Sequence, residues 1–329
     1  MLSRLVYRGF GALGLPALAR RLRNGAAILC YHNVVHEAQS AAPRGETSLH
    51  LPLRDFQRQM QWLVRHYEVV PLGDLVRRLE QRQTLRRLAA VTFDDAYFGF
   101  FEHALPILRD FKIPATVFVV ANAPAKGEPF WWDLPAVQAV ATPQRRHGWL
   151  TDLRGDGASI LQSLAPSPPR PSESLPRAQQ PADWKTIAQA IDGNLTLGAH
   201  SRTHRALDTL NDGELLDELV TGRQLIARET GTEPEFFAYP YGAWNSRVRE
   251  AVRSAGYRAA VTLDYGLNEP GGDPLALRRV SVPAGISDAA LAAWLAGLRL
   301  RLPPARGSDP VFESREVAPT QAPVRWKRA

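Results

Sequence analysis

Val91-Thr92-Phe93-Asp94-Asp95 continues directly from the apolar run Leu88-Ala89-Ala90. An apolar stretch of this length, bounded by polar residues, reads as a buried strand, and it stops where two adjacent carboxylates begin. In α/β folds, acids at the end of a buried strand stand at the rim where active sites are built. Neighbouring like charges repel, so the fold must give each its own role, typically one on a metal and one on a proton. For two aspartates taken alone, a solvated strand end is the plainer reading. The residues around them shift that balance.

Upstream, Ala26 to Val35 forms the first strand candidate, with Tyr31 and His32 at its polar end. Downstream, a helix near Phe101 to Phe111 is followed by Ile113-Pro114 and a strand from Ala115 to Val120. Strand–helix–strand order implies parallel pairing. Further strands are expected at Leu195 to Ala199, Glu235 to Tyr239, Arg258 to Leu263 and Leu277 to Val282. Helices alternate with them: one from about Asp55, one after the capping pair Asn211 and Glu214, and one from Asn245 or Ser246. Such alternation predicts a parallel α/β sheet or barrel. Between the strands, residues 141–182 crowd Pro166, Pro168, Pro169, Pro171, Pro176 and Pro181 among Ser, Gln and Arg. This reads as an insertion or loop, with 165–182 expected to be a mobile excursion away from the core. The aromatic cluster Phe130-Trp131-Trp132 reads as core by default, or as a sugar-stacking platform if it lines a groove.

The chain has 329 residues, a net charge of +7 and 45% hydrophobic residues. Its cations are nearly all Arg, spread along the whole length, and Lys occurs only at 112, 126, 185 and 327. No basic–aromatic motif of the nucleic-acid modules is present, so no nucleic-acid partner is expected. The single Cys30 forms no internal disulfide and fits a reducing compartment. Residues 1–24 are basic and amphipathic, and the apolar run within them is too short to span a bilayer. They are expected to dock as a helix or to make peripheral membrane contact through residues 1–23, on a cytoplasmic protein at the membrane surface. Export stays open, because Ala17-Leu18-Ala19 resembles a cleavage site. Residues 25–300 are expected to form one catalytic domain, and 301–329 a loose tail.

The polar ends of the strands carry the chemistry. His200 ends one strand and opens His200-Ser201-Arg202-Thr203-His204; Tyr239-Pro240-Tyr241-Gly242 ends the next. A catalytic zinc takes imidazole and carboxylate ligands and keeps a position open for water. Two histidines at i and i+4 on a helical turn, with one aspartate, make such a set. The second aspartate is then left to take a proton from water. A lone His-x-x-x-His is more often structural; here it follows a strand in the same chain as Asp94 and Asp95.

Together, Thr92-Phe93-Asp94-Asp95, His200-Ser201-Arg202-Thr203-His204 and Tyr239-Pro240-Tyr241-Gly242 resemble the first three motifs of the polysaccharide deacetylases, carbohydrate esterase family 4 with its NodB homology domain. Cys30-Tyr31-His32-Asn33-Val34 resembles the opening of the exopolysaccharide-associated branch, and Ile113 to Phe118 also matches. The resemblance covers roughly residues 25–285. It implies a distorted (β/α)7 barrel that hydrolyses acetyl groups, usually N-acetyl, from a glycan. It implies a divalent metal, most simply zinc, on Asp95, His200 and His204, with Asp94 as general base. Tyr239, Pro240, Tyr241 and Gly242 would line the substrate groove, the main-chain N–H of Tyr241 holding the oxyanion.

Two departures from the family pattern stand out. Ala238 occupies the place of an arginine that orients the base, and no histidine follows His204 to serve as general acid. His32 is the candidate acid, and Arg279 on the last strand the candidate for the missing charge and a groove contact. A glycan-binding pseudoenzyme that has lost turnover, or an O-deacetylase using the same site, are the alternative readings.

Overall fold

The computed structural model describes residues 2–36, 48–164 and 175–300. Seven parallel strands close into a barrel in the order β1 (Ala27–Tyr31), β10 (Leu277–Ser281), β9 (Ala259–Tyr265), β8 (Phe236–Ala238), β7 (Leu195–Ala199), β6 (Ala115–Val119) and β5 (Leu88–Phe93), with β5 returning to β1. The seam pairs Leu29 with Val280 on one edge of β1 and Ala27 to Tyr31 with Ala89 to Phe93 on the other. Strand β4 (Glu68–Val69) joins only the first residues of β5. Two further short strands, β2 (Asn33–Val35) and β3 (His50–Pro52), form a parallel pair beyond the rim. This is the expected (β/α)7 barrel. It is distorted by the brevity of β8 and by a register shift between β9 and β10.

Period-two alternation divides the apolar residues into two cores. Ala27, Leu29, Ala89, Val91, Phe93 and Val117 belong to the set that packs beneath the surrounding helices, among them Leu53–His66 and Ser246–Ser254. Ile28, Ala90, Phe118, Ala238, Val261 and Leu277 belong to a second set. Helix Leu72–Glu80 completes that set through Leu72, Leu75, Val76 and Leu79, closing the end where the strands begin. At the opposite end, the strands finish in the polar residues described below.

The Pro-rich region differs from its expectation. Residues 143–151 and 157–163 are helices with side-chain caps from Thr142 and Asp156. Leu175, Ala178, Gln179 and Ala182 are buried. Ala182 N–H donates to Ala96 O (3.0 Å), and Phe98 N–H to Gln180 O (2.8 Å). Residues 175–182 therefore pack on the barrel, held by main-chain hydrogen bonds that composition does not reveal. Residues 165–174 and the tail 301–329 lie outside the described residues.

The N-terminal segment forms two helices, α1 (Leu2–Ala12) and α2 (Leu15–Leu22). Tyr7 packs edge-on against Trp294, whose indole N–H donates to the Tyr7 hydroxyl (2.9 Å), and the Arg20 guanidinium stands 5.4 Å from the Trp62 ring.

Candidate active site

The ends of β5 and β7 place Asp95 and His200 side by side, and the loop after β7 returns His204 to them. His200 Nε2 and His204 Nε2 are 3.1 Å apart, and Asp95 Oδ1 lies 3.6 Å from the first and 3.5 Å from the second. All three residues are buried. The two histidines do not share a helical turn, as their spacing suggested. Ser201 (φ 59°) and His204 (φ 61°) take left-handed backbone, which folds the segment into a tight loop. Ser201 Oγ accepts from His204 N–H (2.9 Å), and the buried Glu218 carboxylate accepts from the main-chain N–H groups of Arg202 (3.0 Å) and Thr203 (2.8 Å). Asp95 (φ 70°), Ala96 (φ 52°) and Tyr241 (φ 56°) also adopt this conformation. Non-glycine residues adopt this conformation uncommonly, and five of the nine in the described residues gather here.

A cation fits this cluster. His200 Nδ1 is paired with the Ala238 carbonyl (2.8 Å), so its ring donates there and turns a lone pair at Nε2 toward Asp95 and His204. Asp95 Oδ1 is buried and has no hydrogen-bond partner among the described residues. Burial, with the Asp94 and Asp133 charges adding to it, pushes the Asp95 carboxyl well above its ordinary range. Burial lowers both imidazoles, that of His204 well below normal. Three converging donors that resist protonation on the histidines and ionisation on the aspartate are matched by a divalent ion, which favours the carboxylate and the neutral rings.

Asp94, whose Oδ2 lies 3.9 Å from His200 Nε2, takes a further set of partners. Arg279 Nη1 donates to its Oδ1 and Nη2 to its Oδ2, both at 2.7 Å. The Arg279 Nε donates to Thr262 O (2.8 Å), and the guanidinium lies 5.9 Å from the Phe118 ring. Burial alone would raise the Asp94 carboxyl; the Arg279 charge, aided by His200, overcomes it and holds the group well below the usual carboxylate range. Arg279 is fully buried. It sets a positive charge against Asp94, but it does not line a groove, which corrects that part of its expected placement. Tyr239 is corrected likewise: its ring is buried, stacks on Trp244 (5.9 Å), and its hydroxyl donates to Leu275 O (2.9 Å). Pro240 and Gly242 are also buried and shape the turn from behind. Tyr241 stays at the site, its ring 4.4 Å from that of His204.

His32 lies beside Asp94. One of its ring nitrogens, a carboxylate oxygen of Asp94 and Cys30 Sγ all lie within 4.8 Å of one another. Burial lowers the imidazole to about 4, with Asp94 working against that fall.

Sequence reasoning missed a second layer. Asn33 Nδ2 pairs with His50 Nδ1 (3.0 Å), and His50 Nε2 with Asp133 Oδ1 (3.0 Å). The Tyr97 hydroxyl donates to Asp133 Oδ2 (2.5 Å) and accepts from Trp132 Nε1 (2.8 Å). Trp132 stacks on Phe130 (4.7 Å) and lies 4.6 Å from the His204 ring. The network ties the rim strands β2 and β3 to Tyr97 and to the aromatic segment around Trp132 and Asp133, and fixes an indole wall against His204. No side chain fits at Gly99, where a Cβ would stand 2.3 Å from Asn33 Oδ1.

Residues 81–260, more than half of the chain, match the family model described as polysaccharide deacetylase. The protein YxkH of Bacillus subtilis (strain 168), named as a polysaccharide deacetylase, is 20% identical over 274 residues, which are 83% of this chain and 76% of that one. A poly-beta-1,6-N-acetyl-D-glucosamine N-deacetylase of Staphylococcus epidermidis is 30% identical over 70 residues, 21% of this chain and 24% of that one. Among solved structures, the Streptococcus pyogenes deacetylase PplD, in complex with acetate, superposes with a TM-score of 0.57 at 16% identity, covering 82% of this chain and 98% of that one. IcaB from Ammonifex degensii superposes at 0.56 and 21% identity, covering 84% and 98%. These structures share the fold. With the family model matched over most of the barrel, the chain belongs to the polysaccharide deacetylase family.

Proposed function

We propose that this chain hydrolyses the acetamido group of an N-acetylhexosamine glycan to acetate and a free amine, with Asp94 as general base. The observation that carries the reading is the division of labour between adjacent aspartates. Asp95 faces His200 and His204, while Asp94 is locked as a carboxylate by Arg279. A divalent cation held by Asp95, His200 and His204 would supply Lewis-acid polarisation of the acetyl carbonyl and of the attacking water. Asp94 accepts the proton from that water as it attacks. The Tyr241 N–H, on its left-handed turn beside His204, donates to the oxyanion that develops on the carbonyl. The Trp132 and Tyr241 rings exclude bulk water on the His204 side. The N-acetyl choice rests on the named activity of the Staphylococcus epidermidis relative.

The departing amine needs a proton, and we assign that role to His32, whose proximity to Asp94 supports it. A ring lowered to about 4 rests neutral at neutral pH. The proton it delivers is then the one that Asp94 takes from water, passed on across the short gap between them. His32→Ala is expected to lower kcat on the order of 10²-fold or more, as for other general acid–base groups, with metal content unchanged. An unchanged kcat would leave Asp94 as the only proton carrier.

Acetate release from β-1,6-linked N-acetylglucosamine oligomers, with zinc, with chelator, and with O-acetylated xylan in parallel, tests the reading. Release from the oligomers should require the metal, and His204→Ala should lose both bound metal and activity. Release from xylan alone points to an O-deacetylase. Metal uptake with no release from either substrate points to a glycan-binding pseudoenzyme. A His204→Ala protein that keeps its metal removes the ligand assignment.

A further inference from the structure

The four most exposed large hydrophobic residues among the described residues all belong to the first two helices and the turn between them: Leu5 (62%), Leu13 (75%), Leu18 (53%) and Leu22 (65%). Elsewhere in the barrel such residues are singly placed and less exposed. Helices α1 and α2 are each anchored by one face. Tyr7 and Phe10 turn inward toward Trp294, Ala290 and Ala293, while Pro16 is buried and Arg20 lies against Trp62. The opposite faces hold leucine beside arginine. Leu5 shares the outer side of α1 with Arg8, and Leu18 and Leu22 share the outer side of α2 with Arg21; these side chains are exposed. Arg23 follows at the end of α2. No acidic residue occurs in the sequence before Glu37. Among the described residues, no helix is long and apolar enough to cross a membrane.

We propose that these outer faces bind the surface of an anionic phospholipid bilayer, leucines entering the headgroup boundary and arginines meeting lipid phosphates. Exposed leucine alternating with cations, and no acid to repel anionic lipid, is the chemistry of an interfacial helix. A protein partner of ordinary composition would not call for a face whose charges are all of one sign. The fold also fixes how the molecule would stand. Residues after α2 lead into the start of β1, Arg23 donates to Gly297 O (3.1 Å), and Asn24 Oδ1 accepts from Leu85 N–H (2.8 Å), just before β5 begins. The lipid-binding face thus belongs to the end of the barrel where strands start, and Asp94, Asp95, His200 and His204 lie at the other. The bound protein presents its catalytic rim away from the bilayer, toward polymer in solution.

The test is co-sedimentation of the full chain with vesicles of phosphatidylcholine alone or mixed with phosphatidylglycerol. Binding is expected to the mixed vesicles, to fall as salt rises, and to weaken by about tenfold or more in Leu18→Glu/Leu22→Glu, since each acid replaces apolar contact with repulsion. The same variant should keep its unfolding temperature and its metal content, because both positions point into solvent. Three outcomes overturn the proposal. They are a wild type that stays in the supernatant, a variant that binds as well as the wild type, and a wild type that self-associates in sedimentation equilibrium through this face, with the variant monomeric and vesicles ignored. The last assigns the face to a second copy of the chain.

Discussion

Asp94→Asn is expected to lower turnover on the order of 10²–10⁴-fold, the range for loss of a positioned general base. Asparagine keeps the shape and one acceptor for the Arg279 fork but cannot take a proton. The substitution also leaves a guanidinium buried opposite a neutral group, so stability should fall as well. Turnover must therefore be measured well below the unfolding transition, on protein shown by metal analysis to be loaded. Because Asp95, His200 and His204 are untouched, metal content should match the wild type. A loaded, folded Asp94→Asn protein that releases acetate at the wild-type rate would falsify the role of Asp94.

Arg279→Met carries the largest expected effect on stability, about 3–5 kcal/mol, the cost of leaving one partner of a buried pair uncompensated. Methionine fills much of the volume against Phe118, so the loss reports on charge rather than on a cavity. The pH dependence supplies a signature. In the wild type the folded Asp94 carboxyl is depressed, so the stability that the pair contributes is complete above the ordinary aspartate range, near about 3.9. It is lost only as pH falls through the lower folded value. In Arg279→Met, burial loses its main opponent, with only the weaker influence of His200 and His32 left against it, and raises the carboxyl, so the deficit should be largest at neutral pH and shrink on acidification. Combined with Asp94→Asn, the two losses should fall short of their sum, since each removes the same interaction. Additive losses at all pH values would mean that the pair, although bidentate, contributes nothing of its own.

Much of this was legible because it is local. The apolar run into Asp94-Asp95, the strand before His200 and the turn after Ala238 are patterns within a few residues, and the alternation of elements follows from them. The side-chain directions at two positions were legible too, though unread: alternation puts Ala238 inward and hence Tyr239 outward, and it puts Arg279 on the inner face with Leu277. The network from Asn33 through His50, Asp133 and Tyr97 to Trp132 was not legible. Its members come from four separate segments, and although Asn33 and Trp132 lie in stretches that stand out, nothing in the sequence marks the contacts between the segments. The burial of residues 175–182 was hidden for a different reason. It depends on main-chain groups, such as Ala182 N–H, which donates to Ala96 O at 3.0 Å, and Ala178 O, which accepts from the Asn33 side chain at 2.8 Å, about which composition is silent.

The seam at β1 has a consequence for synthesis. Leu29 is among the first barrel residues to be made and its partner Val280 among the last. Until β10 arrives, β1 has only β5 beside it, and both it and β9 keep an open edge that another chain could pair with. Strand β10 also brings Arg279. A chain arrested before that point holds Asp94 in an apolar interior with no counter-charge, where the carboxylate is costly and the proton is retained. Sealing the barrel and bringing Asp94 its buried counter-charge are one step.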